Sequence, residues 1–238
     1  MTSDTDTPQA RLRAYAATLE WHYEPIEDLA DDLREHAKGQ GLQVTGEEIG
    51  TIAAEIIVET QANNLLRAGY ADEGEIVEEL TELVEGAEVE YDPDAIERTV
   101  ERLWAARLEE QRGWPEVTDN DRLERAFIRL WRSGIVAEEN FTCCQTCGVS
   151  EIGGEVPEGT AMDGYAFFHQ QDTESAVDGG PLLLAYGTFT DETDPAGATE
   201  IGERVVAALD AEGLRTEWDG SHKKRIEVTL NWRRRLPA

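Results

Sequence analysis

The chain has 238 residues, 40% hydrophobic and 7% aromatic, enough apolar material for a real core and too much for a disordered chain. Its 51 acidic and 21 basic residues give a formal net charge of −30, which repels phosphate backbones and anionic lipid, so neither nucleic acid nor membrane is an expected partner. No apolar run reaches the roughly 18 residues of a spanning helix, and the polar, acidic stretch Met1–Pro8 has no signal-peptide pattern, so the expected compartment is the cytoplasm.

The first 134 residues read as helices. Pro8 opens one, with Leu12, Tyr15, Leu19 and His22 at helical spacing. Pro25 suits the first turn of a second, with Ile26, Leu29 and Leu33 inward and an end near Gly39. Thr45 and Glu48 form a capping-box pattern before a helix that runs to Ala68, with Gly69 just past it. A shorter helix follows around Glu75–Val84. Asp92 and Pro93 cap another that stops at Gly113, and Thr118 precedes a last run ending at Gly134. Single apolar stripes and short connections predict a bundle. Glu35 with His36 and Glu20 with His22 read as solvent-facing pairs.

Between Arg67 and Arg98 stand 12 acids and no base. This run suits either a solvated helix face or a docking surface for a basic protein partner.

After Gly134 the pattern changes. Short extended segments are predicted at Ile135–Ala137, Gly164–Asp172 and Gly180–Phe189, then a helix over Thr199–Glu212 with Gly213 as its stop. Two alternating strands joined by a turn at Asp219-Gly220 close the chain. The expected fold class is therefore α+β. A helical N-terminal region (1–113) is packed with a C-terminal α+β sandwich (114–238) of four to five strands, its helices on one sheet face. The basic residues Lys223, Lys224, Arg225, Arg233, Arg234 and Arg235 cluster at this end. They could hold phosphate, but protection of an edge strand is the plainer reading.

All three cysteines fall in "NFTCCQTCG", as Cys143, Cys144 and Cys147. Four readings stay open. Cys144-x-x-Cys147-Gly148 has the shape of half a zinc knuckle, in which glycine turns backbone N–H groups toward the thiolates. A structural zinc would then need His169 or His222 to complete its four ligands. A CxxC opening a helix could instead be a redox pair with a lowered thiolate pKa. A nucleophile would need a base, and "HQQDTE" offers His169 and Asp172 where a strand ends. Alternation along Tyr165–His169 sets Tyr165, Phe167 and His169 on one face, so His169 could meet the thiols. Finally, free cysteines pack as small buried hydrophobes, here against Phe141. The nucleotide-loop, metalloprotease and nucleophile-elbow motifs are absent from the sequence.

The runs "TDNDRLERAF", "SGIVAEENFTCCQTCG", "GYAFFHQQDTESAV", "LLLAYG", "IGERVVAAL" and "RIEVTLNW" resemble an uncharacterised, largely actinobacterial family, domain of unknown function 6891, over roughly Trp114–Trp232. The resemblance implies a cytoplasmic bacterial protein and no particular mechanism. It draws attention to Cys143, Cys144, Cys147, His169 and Asp172. The leading expectation is a protein-interaction or regulatory module that uses the acidic helices. The alternative is a thiol-dependent or zinc-dependent site built from the three cysteines with His169.

Overall fold

A computed structural model describes residues 7–19, 25–87, 89, 91–189 and 195–237. His22 and Glu20 lie outside them. The chain divides into two compact units, residues 1–112 with 236–238, and residues 113–235.

In the first unit α1 (Pro8–Ala16), α2 (Ile26–Gln40), α4 (Glu73–Gly86) and α5 (Pro93–Gln111) pack on the long α3 (Gly46–Ala68). The core holds Leu12, Leu29, Leu33, Ile52, Val58, Ile76, Leu80, Ile96 and Val100, with Leu236 from the chain end. Helix starts follow local chemistry. The Thr45 hydroxyl accepts from Glu48 N–H at 3.1 Å while Glu48 accepts from Thr45 N–H at 2.7 Å, satisfying two amides that the helix leaves open. Asp72 and Glu75 form the same reciprocal pair ahead of α4, which therefore starts earlier than its apolar stripe implies. Gly69 ends α3 in the left-handed region, as expected. At α2 the left-handed residue is Gly41, and Gly39 continues the helix. His36 does not face solvent freely: it is half-buried and stacks on Tyr15 with ring centroids 3.7 Å apart.

The second unit is α+β, with a five-stranded mixed sheet. Its elements are α6 (Asp119–Arg132), β1 (Ile135–Glu138), α7 (Gln145–Glu151) with a 3-10 turn to Glu155, β2 (Gly164–Phe167) and α8 (Gln170–Val177). They continue through β3 (Leu182–Thr188), α9 (Pro195–Ala211), β4 (Arg215–Glu217) and β5 (Ile226–Thr229). The strand order is β1-β2-β3-β5-β4, with β1 and β2 parallel and the other pairs antiparallel.

Alternation sorts the two faces. A Cβ on Gly164 would strike Ile201 of α9, so the even positions of β2 face that helix. A Cβ on Gly148 of α7 would strike Phe167, so the odd positions face α7. Helices thus cover both faces, not one. The α7 side carries its own small core of Val136, Ile152, Phe167 and Ala185, packed by Phe141 and Tyr165. Two further expectations change: β2 stops at Phe167, because the next residues open α8, and β4 joins β5 through residues 218–225 instead of a tight turn.

Candidate functional site

The parallel strands β1 and β2 run side by side, and each is followed by a helix. Their carboxyl ends thus bring two strand-to-helix loops together, a common location for sites in sheets with parallel strands. Backbone hydrogen bonds tie the loops. Phe141 N–H donates to Phe168 O at 2.8 Å, Phe168 N–H to Glu138 O at 3.3 Å, and Gln170 N–H to Thr142 O at 3.1 Å. The Thr173 hydroxyl adds a bond to Asn140 Oδ1 at 2.7 Å.

The first loop carries the thiols. Asn140 and Thr142 take φ of 52° and 56°, left-handed values that cost a β-branched threonine free energy and persist only where neighbours enforce them. Cys144 is extended, with φ −154° and ψ 168°, and forms the N-cap of α7. These two backbone states overcome the divergence expected of adjacent side chains: the ligand atoms of Cys143, Cys144 and Cys147 all lie within 4.8 Å of one another. Cys143 Sγ and Cys147 Sγ are 3.6 Å apart. Cys143 is exposed and the other two are half-buried, so the thiols are not the packed hydrophobes that the sequence also allowed.

The Cys147 backbone N–H holds the Cys144 thiol below its ordinary pKa, helped by the Cys147 and Cys143 side chains and by Thr146 N–H. The sulfur does not close a full capping hydrogen bond. Hydrogen bonding with the neighbouring sulfurs, first Cys143 and then Cys144, pushes Cys147 up to about 11. Cys144 is therefore the first of this pair to ionise.

Gly148 is needed here for close approach. An added Cβ would stand 2.3 Å from Phe167 Cε2, and its φ lies outside the left-handed set. It lets α7 lie directly on Phe167, a different role from the knuckle glycine expected from sequence.

His169 does not join the thiols; among the described residues the metal-competent group is the three cysteines alone. His169 is the N-cap of α8 and is 5% exposed, as is Asp172. Asp172 Oδ2 accepts from His169 N–H at 3.1 Å and lies 3.0 Å from His169 Nε2. The same oxygen pairs with Arg225, whose guanidinium also donates to Leu183 O. Burial lowers the His169 pKa, opposed by Asp172 and aided by Arg225. Asp172 Oδ2 and Arg225 Nη1 both approach Nε2, at 3.0 and 3.5 Å, while buried Nδ1 has no hydrogen-bond partner among the described residues. Arg225 is the member that sequence reasoning missed, since it stands 53 positions from Asp172 and reads as an edge charge.

Two of the three C-terminal arginines are held in ion pairs. Arg234 pairs with Glu139 and Arg235 with Asp121, each at 2.8 Å. On α4, Glu75, Glu78, Glu79, Glu82 and Glu85 are exposed, a solvated acidic face.

The family described as Domain of unknown function (DUF6891) matches residues 53–236. That is more than half of the chain, and the chain belongs to this family. The match begins within α3, so it takes in much of the helical unit as well as the sheet. No curated protein and no solved structure matches the chain.

Proposed function

We propose that the second unit binds one soft divalent metal ion, zinc foremost, through the thiolates of Cys143, Cys144 and Cys147. The observation that carries this is the spacing of the sulfurs. Thiolates around zinc at about 2.3 Å in a tetrahedron stand about 3.8 Å apart. The Cys143–Cys147 separation of 3.6 Å is close to that value, and all three sulfurs fall within 4.8 Å. A cluster held this way before any ion arrives loses less on binding. The lowered Cys144 pKa eases loss of the first thiol proton when a metal binds.

Three thiolates leave one tetrahedral position to water or a ligand. Structural zinc is fully enclosed by four protein groups, whereas an open position belongs to sites that bind or activate something. The half-exposed setting supports the open kind. Thiols kept free for a metal suit a reducing compartment, which supports the cytoplasm as the location. The alternative of an acidic docking surface for a basic partner rests on charge alone, since the exposed glutamates of α4 have the ordinary form of a solvated helix face.

The test is a zinc titration of the reduced chain against a competing chromophoric chelator. It should give one site per chain, release protons on binding, and lose affinity by about 100-fold or more when Cys144 or Cys147 becomes serine. Binding unchanged in both variants would refute the assignment.

A further inference from the structure

The basic run His222-Lys223-Lys224-Arg225 is left over from the metal reading, and the fold removes its plainer explanation. Edge protection requires an edge strand. β5, which the run leads into, lies between β3 and β4, so these residues do not belong to an edge strand.

They instead form one wall of a pocket of about 100 Å³, completed by Gln145 of α7, Tyr165 of β2 and Tyr186 of β3. The loop is held in place. The Tyr186 hydroxyl lies 2.9 Å from Ser221 O and 3.1 Å from Lys224 O, and accepts from Trp218 Nε1 at 3.0 Å. Ser221 N–H donates to Asp219 Oδ1 at 3.0 Å, and Lys224 N–H to Ser221 O at 3.0 Å. Gly202 of α9 leaves room for the Trp218 ring, which stands 2.7 Å from where a Cβ would be.

The charges are uneven in a telling way. Lys224 is paired with Asp219 at 2.7 Å, and Arg225 with Asp172. Lys223 has no carboxylate partner among the described residues, and no acid lines the pocket. Arg225 lines it as well, and its buried Nε–H has no acceptor among the described residues, an unmatched donor of a kind that costs about 1–3 kcal/mol. In a chain with 51 acids to 21 bases, a basic cavity without a carboxylate draws the local potential toward anions.

We propose that this pocket binds a compact oxyanion, the phosphate or carboxylate group of a small molecule. Its volume fits one such group and not a nucleotide, and the acidic body repels polyanions. The inference uses no thiol and stands apart from the metal reading, although the ligand would sit against α7, the helix that carries Cys147.

Amide shifts of the full-length ¹⁵N-labelled chain, titrated with sodium phosphate and separately with sodium acetate at constant ionic strength, test it. Saturable shifts at Gln145, Val149 and residues 222–225 are expected, with a dissociation constant of about 1 mM. Lys223 is exposed, so Lys223→Glu should keep the remaining spectrum while raising that constant about tenfold or more. Lys38→Glu, the same charge change on α2 of the first unit, should leave it unchanged. Whichever probe saturates at lower concentration names the group. Shifts that stay linear with both probes, or equal constants in Lys223→Glu and wild type, would mean an adventitious ion only and overturn the proposal.

Discussion

Gly148→Ala probes the contact that seats the thiol helix. The new methyl would stand 2.3 Å from Phe167 Cε2 and 2.6 Å from Cζ, against a favourable carbon–carbon separation of about 3.5–4.0 Å. Phe167 is fully buried, with the Phe141 and Tyr165 rings at centroid distances of 5.9 and 6.0 Å, so its ring has no free direction in which to swing. Overpacking costs about 1–3 kcal/mol, and a contact this short against a confined ring belongs at the upper end, about 2–3 kcal/mol. Alanine returns about 1 kcal/mol through its better helix propensity. The expected net loss is about 1–2 kcal/mol, which lowers a urea midpoint by about 0.5–1 M at an unchanged slope. Because the clash lifts α7 away from the sheet, zinc affinity should fall with stability. In a Phe167→Leu background the penalty should shrink by about 1 kcal/mol. The reasoning is refuted if Gly148→Ala is as stable as wild type, or if it costs the same in both backgrounds.

Alkylation at neutral pH, mapped by peptide mass, should modify Cys144 faster than Cys147, since one pKa is lowered and the other raised to about 11; the opposite order would contradict the loop electrostatics. Asp172→Asn leaves the Arg225 charge without its buried partner and should cost about 2–4 kcal/mol in urea unfolding, partly recovered by adding Arg225→Gln. His169 has a folded pKa below its unfolded value of about 6.5. Its neutral burial therefore supports the fold above pH 6.5, and this support is lost as pH falls toward the folded pKa. Urea midpoints at pH 7.5 and 5.5 should converge less in His169→Gln than in wild type only if this linkage is wrong; the expected result is a smaller acid loss in the variant.

The parts of the fold readable in the sequence are those fixed by neighbours in the chain. Thr45 with Glu48 and Asp92 with Pro93 announce their helices because the capping bonds span only two or three residues. Gly69 and Gly213 end theirs because left-handed residues favour glycine. Two-residue alternation places Tyr165 and Phe167 on the face that α7 covers. It fails at His169, since β2 has ended by then and the residue caps a helix. That change takes His169 to Asp172 and Arg225 and away from the thiols. Sheet order is equally non-local: a basic run reads as an edge until β4 is seen to pair outside β5. The three thiols were legible as a cluster, but their convergence depends on left-handed Asn140 and Thr142, conformations that neither residue type announces.

The most direct measurement is metal content per chain, by mass spectrometry of tag-free protein purified under reducing conditions without chelator. The account predicts about one zinc per chain, lost in Cys144→Ser and Cys147→Ser and retained in His169→Ala, because His169 stands with Asp172 and Arg225 and not with the sulfurs. Metal-free wild type that also fails to take up zinc when all three thiols are reduced would contradict it.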